Sequence, residues 1–220
     1  MLSFSDLRAA TYCPRKLYYA RRADDRSVPD EVTAVRVVGD RYPAILDGTM
    51  PDDELADLPV EPPPDAYRAT LRRTSETCDR FDDLAAPADR DVLVTGRDCR
   101  GVVHKVLTDP PAPSLVSAGK PPENGVWEPQ SVWAVAAAKA LAWDRQEPVD
   151  RAFVEYPAHG VVRTVELTGR RTAAYRRAIR TVEAIDGPPS RLRNRSKCRA
   201  CEYADACGVR TRTLRSLLGV

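Results

Sequence analysis

Cysteine spacing is the feature of this 220-residue chain that carries most chemistry. Cys198-x-x-Cys201, followed after five intervening residues by Cys207, puts three soft donors on one short segment, close enough to serve a single metal centre. A fourth ligand must come from elsewhere in the chain. Four thiolates suit tetrahedral Zn²⁺ or a [4Fe-4S] cube, and spacing alone leaves both open. Three cysteines within ten residues, beside Lys197 and Arg199, do not read as core filling. Cys78 and Cys99 lack neighbouring ligands and read as core or incidental thiols. His104, mid-strand, and His159, in a turn, read as ordinary core or surface histidines.

Compartment bears on the same question. The start, MLSFSDLRAATYCPRK, has no apolar core of signal-peptide length, and no later stretch approaches the roughly 20 apolar residues that span a bilayer. A cytoplasmic protein with no membrane partner is expected. In that reducing setting clustered cysteines are metal ligands or redox groups before they are disulfides.

Overall charge is nearly balanced at +2, so only its local distribution can point to an anionic partner. That distribution is uneven. Arg191, Arg193, Arg195, Lys197, Arg199, Arg210, Arg212 and Arg215 surround the cysteines and offer phosphate contacts along a nucleic-acid backbone; such a run also serves simply as a solvated face.

The elements that must position these groups follow from periodicity and punctuation. Ser3 with Asp6 forms a helix-starting pair, and Leu2, Phe4, Leu7, Ala10 and Leu17 recur at helical spacing. Pro14 breaks that run, so Cys13 occupies a kinked position between two short helices. Acidic residues and prolines from Asp47 to Asp65 predict a mobile surface insertion. A helix is expected within Tyr67 to Asp83. Strands are expected at Val92–Val94, Gly101–Leu107 and Ser114–Ser117, and a hairpin at Arg151–Tyr156 and Val161–Leu167. The alanine-rich stretch from Pro129 to Trp143 predicts a buried helix ending before Pro148, and a basic helix is expected from Arg170 to Ile185.

Several of these segments together resemble a known family. Ser5-Asp-Leu7, Tyr12-Cys13-Pro14-Arg15 with Tyr18-Tyr19, and Lys197-Cys-Arg-Ala-Cys-Glu-Tyr-Ala-Asp-Ala-Cys207 are similar to the CRISPR-associated RecB-like exonuclease, the Cas protein numbered four, of the PD-(D/E)xK nuclease superfamily. Phe153-Val-Glu-Tyr-Pro157 and Gly187-Pro-Pro189 fit as well, so the resemblance runs nearly end to end. It implies an α/β, restriction-endonuclease-like (RecB-type) mixed sheet flanked by helices, as one domain over 1–220. Within it, 1–22 are cluster-bearing helices, 47–66 the acidic insertion, 90–187 the nuclease-like core and 188–220 the basic cluster-binding segment. The cofactor implied is a [4Fe-4S] cluster on Cys13, Cys198, Cys201 and Cys207, with zinc as second choice, joining the N- and C-terminal segments.

The family's core carries an Asp on one strand, Glu-x-Lys on the next and Gln on the following helix, where carboxylates hold Mg²⁺ or Mn²⁺. Here His104 replaces the Asp, Ser117 and Gly119 replace the Glu and Lys, and Trp133 replaces the Gln. Tyr42, in Gly39-Asp-Arg-Tyr42, stands where an active-site histidine often precedes the core. Lys120, Gln130, Asp98 and Asp109 lie near these positions without restoring the two acids. No intact catalytic set, no catalytic Mg²⁺ or Mn²⁺ and no metal-dependent nuclease activity are therefore expected. Trp133 would fill the vacated cleft or stack a nucleobase. The function so implied is a nuclease-deficient iron-sulfur protein that binds single-stranded DNA, or CRISPR adaptation or DNA-repair proteins, in antiviral defence or DNA processing. The alternatives are an active single-stranded DNA exonuclease with a rearranged site, and a redox-sensing or structural cluster protein without DNA binding.

Overall fold

Ser3 closes a two-residue strand, β1 (Leu2–Ser3), and caps α1 (Phe4–Tyr12), its Oγ accepting from the Asp6 N–H at 3.0 Å. The bond pairs one of the donors that a helix start leaves free. Cys13, in extended backbone, ends α1, and Pro14 opens α2 (Pro14–Ala20) at a position where its missing N–H costs nothing. This computed structural model describes residues 1–23 and 30–208. Helices α3 (Asp30–Asp40), α4 (Tyr42–Leu46), α5 (Asp52–Asp57), α6 (Pro64–Thr77) and α7 (Phe81–Ala85) precede strands β2 (Asp89–Thr95), β3 (Cys99–Leu107) and β4 (Ala112–Val116). Then come α8 (Glu128–Arg145), β5 (Arg151–Tyr156), a 3-10 turn at Pro157–His159, β6 (Val161–Glu166), α9 (Gly169–Glu183) and α10 (Arg195–Arg199).

These strands form one mixed six-stranded sheet. β3 runs antiparallel to β2 along most of its length, while β1 pairs with its start in parallel and β4 with its end antiparallel. β4 and β5 are parallel, joined through α8 as parallel neighbours require, and β5 and β6 form the expected hairpin. One face packs on α1, α8 and α9 through Phe4, Leu7, Val103, Leu115, Leu141, Val154 and Tyr175. The other packs on α3 to α7 through Val38, Tyr42, Ile45, Leu55, Leu71, Leu107 and Phe153. A mixed sheet flanked by helices agrees with the expected α/β class.

Small residues set the spacing of the first face. Ala134, Ala136, Ala137, Ala138 and Ala140 are all buried, so α8 approaches the sheet closely. At Gly96 an added Cβ would lie 2.7 Å from the Cα of Ala140, and at Gly101 it would lie 2.3 Å from the Phe4 ring. Gly101 thus lets α1 lie down on β3.

Two expectations are corrected. The segment 47–66 is not a mobile insertion: it contains α5, and Met50 and Leu55 are buried in the second core. Its few apolar residues fall where α6 can cover them, the acids face outward, and Arg68 ties the segment down by donating to the carbonyls of Ile45 at 2.5 Å and Met50 at 2.6 Å. The region from Tyr67 to Asp83 divides between α6 and α7 rather than forming one helix. Among the described residues no helix is long and apolar enough to cross a membrane.

Candidate functional site

The kink at Cys13 sets the first candidate site. Cys198 lies in α10, whose start is capped by Asn194 Oδ1 accepting from the Lys197 N–H at 3.2 Å; Cys201 and Cys207 follow in turns. Cys13, Cys198, Cys201 and Cys207 line one cavity, with Tyr12, Arg15, Lys16, Tyr19 and Lys197 on its walls. All four thiols are free and half-buried. Polar contacts hold the two chain ends together around them. The Tyr12 hydroxyl donates to the Lys197 carbonyl at 3.1 Å, Arg15 donates to the Pro189 carbonyl at 2.8 Å, and Lys16 pairs with Glu202 at 3.2 Å. Tyr19 and Tyr203 stack with centroids 6.2 Å apart. Burial, and then the nearby Cys201, Cys198 and Cys13, push the Tyr12 phenol above its usual pKa. Lys16 and Lys197 both lie over the Tyr12 ring, at 5.4 and 5.1 Å.

Among the described residues no group of three or more His, Cys, Asp or Glu side chains gathers around a point that could hold a single metal ion.

Of the basic residues proposed to contact nucleic acid, Arg191 is exposed at the cavity rim, and Arg193 and Arg199 are exposed. Lys197 is half-buried against Tyr12. Arg195 belongs to α10, its side chain outside the description, and Arg210, Arg212 and Arg215 lie outside the described residues.

The positions that the resemblance assigns to a catalytic centre do not all meet. His104 on β3 and Trp133 on α8 do, ring edge to face with centroids 5.7 Å apart. Ser117, just past β4, is buried and donates its N–H to the Glu155 carbonyl at 2.8 Å; Gly119 follows, its N–H reaching the Ser117 Oγ at 3.4 Å. Tyr42 lies on the opposite face of the sheet, in the second core, against Phe81. Gln130, one turn before Trp133 on α8, is buried with its Oε1 unpartnered. Asp98, in the β2–β3 turn, accepts from the Tyr175 hydroxyl at 3.3 Å, and Asp109 lies beyond the end of β3.

His104 sits among cations. Its Nδ1 accepts from the Val116 N–H at 2.7 Å and its Nε2 faces the Arg36 guanidinium. Burial, then Arg36, Arg8 and Lys105, hold its pKa down at about 3, so the ring is neutral at ordinary pH.

Sequence reasoning missed a second polar centre. Lys105 and Glu155 form a fully buried ion pair at 2.8 Å. The Lys105 ammonium also donates to the Leu84 carbonyl at 2.9 Å and the Gly39 carbonyl at 3.3 Å, and the Ser114 hydroxyl donates to Glu155 Oε1 at 2.6 Å. The available signal was a lysine and a glutamate, each inside an otherwise apolar strand, Val-Val-His-Lys-Val-Leu107 and Phe-Val-Glu-Tyr156. No protein-family model matches this chain, and no curated protein matches it.

Proposed function

We propose that this chain is an iron-sulfur protein of the RecB-like nuclease fold, in which Cys13, Cys198, Cys201 and Cys207 hold a [4Fe-4S] cluster and the basic segment around them binds single-stranded DNA or a partner without cutting DNA. The single observation that carries the reading is the shared cavity: four free thiols, one from the α1–α2 kink and three from the far end of the chain, face the same space. Four thiolates drawn from two ends of the chain suit a [4Fe-4S] cube, with tetrahedral Zn²⁺ as the second choice. Bound there, the cluster would supply a redox-active cross-link between the two chain ends. The chain's own part is to preform the walls: Tyr12, Arg15 and Lys16 tie α1 and α2 to the segment carrying the three cysteines. Arg15, Lys16, Arg191 and Lys197 on those walls offset the negative charge of thiolates and draw a phosphate backbone toward the rim.

Non-cleavage is supported by the composition of the other candidate centre. His104, Ser117, Gly119 and Trp133 offer no carboxylate, and Mg²⁺ takes carboxylate and water oxygens.

The test starts with anaerobically purified protein. About four irons and four sulfides per chain, with a visible charge-transfer band lost in Cys13→Ser and Cys201→Ser, are expected. The loaded protein should bind end-labelled single-stranded DNA with an affinity that falls steeply with salt, and leave it uncut in Mn²⁺. Stoichiometric zinc in place of iron would overturn the cluster assignment, and cutting would overturn the non-catalytic one. Salt-independent failure to bind DNA by cluster-loaded protein would leave a stapling or redox role.

A further inference from the structure

Arg8 of α1 and Arg163 of β6 lie on the α8 face of the sheet, Arg36 of α3 reaches His104 from the other side, and the protein gives the three little to bind. Arg8 of α1 lies 4.7 Å over the Trp133 ring, with no carboxylate partner among the described residues. Arg36 of α3 meets one acid, the exposed Asp91, at 3.4 Å. Arg163 of β6 donates to the Glu123 carbonyl at 3.1 Å. Alternation along β6 puts Arg163 on the same face as the core residues Val161 and Val165, across from Val154 on β5.

Among the described residues, several buried donors of this cluster lack acceptors. The Nε atoms of Arg36 and Arg163 and the hydroxyl of Tyr156 are buried and unpartnered. Tyr156 is fully buried, and the charges of Arg8 and Arg163 reach its hydroxyl. His104, nine-tenths buried, sharpens the point. Its Nδ1 already accepts from the Val116 N–H, so a neutral ring must carry its proton on Nε2. That N–H faces Arg36, whose guanidinium has donors only. Two donors lie side by side, and among the described residues no acceptor serves them both.

The charge tells what would. Three guanidiniums less the Asp91 carboxylate leave two positive charges (3 − 1 = 2), with His104 neutral and Lys105 matched by Glu155. A phosphate monoester carries about −1.5 to −2 near neutral pH and offers three acceptor oxygens in several directions, whereas a carboxylate offers one charge in one plane. Arginine forks suit phosphate oxygens in paired hydrogen bonds.

We propose that Arg8, Arg36, Arg163, His104 and Tyr156 form a metal-free site for a terminal phosphate group, with Trp133 as its apolar wall. The phosphate oxygens accept from the guanidiniums, from His104 Nε2–H and from the Tyr156 hydroxyl. The phosphate comes from a nucleic-acid end or from free phosphate, and both present the same oxyanion. The site is separate from the cysteine cavity and does not depend on the cluster.

The experiment titrates the full, cluster-loaded chain with inorganic phosphate, a 5′-phosphorylated deoxyoligonucleotide and its 5′-hydroxyl twin, read by calorimetry and by the fluorescence change that Trp133→Phe removes. One saturable phosphate equivalent per chain is expected, weakened at least about tenfold by Arg36→Gln and by Arg163→Gln, with Arg36→Lys between. Preference for the phosphorylated oligonucleotide over both its twin and inorganic phosphate assigns the source to a nucleic-acid end, and equal affinity for phosphate alone assigns it to the free anion. Should one variant fail to fold, the other, on a separate element, carries the same comparison. Absence of saturable phosphate binding by the wild type, or binding that survives whichever arginine substitution folds, overturns the site.

Discussion

His104 and Lys105 are consecutive residues of β3, and they enter opposite electrostatic worlds. Lys105 turns to the α3–α7 face, where Glu155 and two backbone carbonyls accept its three protons and Ser114 satisfies the other carboxylate oxygen. His104 turns toward Trp133 and Arg36, where donors outnumber acceptors. The first centre is closed by its own chain and fully buried on the α3–α7 face. The second is made of half-buried arginines that solvent can reach. A polar cluster that satisfies itself is architecture, and one that leaves donors over is built for something that brings acceptors.

Breaking the closed centre should have the largest effect. Lys105→Met leaves Glu155 buried without its countercharge and is expected to cost about 3–5 kcal/mol in urea denaturation. Replacing both partners, as Lys105→Met with Glu155→Leu, removes the desolvated charge altogether and should return most of that loss. A single substitution costing under about 1 kcal/mol would show that the pair does not organise the second core.

That centre also marks where sequence reading stops. The α8 helix, the β5–β6 hairpin, the Ser3 cap and the Cys13-Pro14 kink were legible, because each is written in a local period or a local breaker: Pro129 at a helix start, Gly160 in a turn, Ser3 three residues before Asp6. Lys105 and Glu155 lie 50 residues apart on strands that are not adjacent, with β4 between them, so their meeting depends on sheet order rather than on spacing. The acidic segment misled for a related reason. Its composition is that of a solvated loop, and only the fold shows that Met50 and Leu55 fall on the side that α6 covers. The cysteine motif lay between these cases, since three donors were adjacent in sequence and only the fourth depended on the fold.

The open centre should reveal itself through pH. The native state holds His104 neutral down to about 3, whereas the unfolded chain protonates it near the ordinary histidine value of about 6.5. Between those values the unfolded state binds the extra proton, so unfolding becomes easier as pH falls. Stability is therefore expected to decline from about pH 6.5 toward 3 by on the order of a few kcal/mol, because burial first, and then Arg36, Arg8 and Lys105, oppose protonation in the native state. His104→Gln keeps a polar side chain that does not titrate and should flatten this limb. An unchanged slope in that variant would place the acid sensitivity elsewhere.

The smallest effect sharpens the comparison at its shared support. α1 carries Arg8 toward the open centre and ends at Cys13, so one helix serves both candidate sites, and its start rests on the Ser3 hydroxyl. Ser3→Ala removes a single N-cap bond and should lower stability by about 1 kcal/mol, while Ser3→Asp, which caps as well and favours the positive end of the helix, should not. Because Gly101 and Phe4 fix α1 on β3 independently of the cap, Ser3→Ala should leave both iron content and phosphate affinity within about twofold of the parent. If either falls in step with the lost stability, α1 is held by its cap rather than by the sheet, and the two sites share a weaker platform than the packing of Phe4 on Gly101 implies.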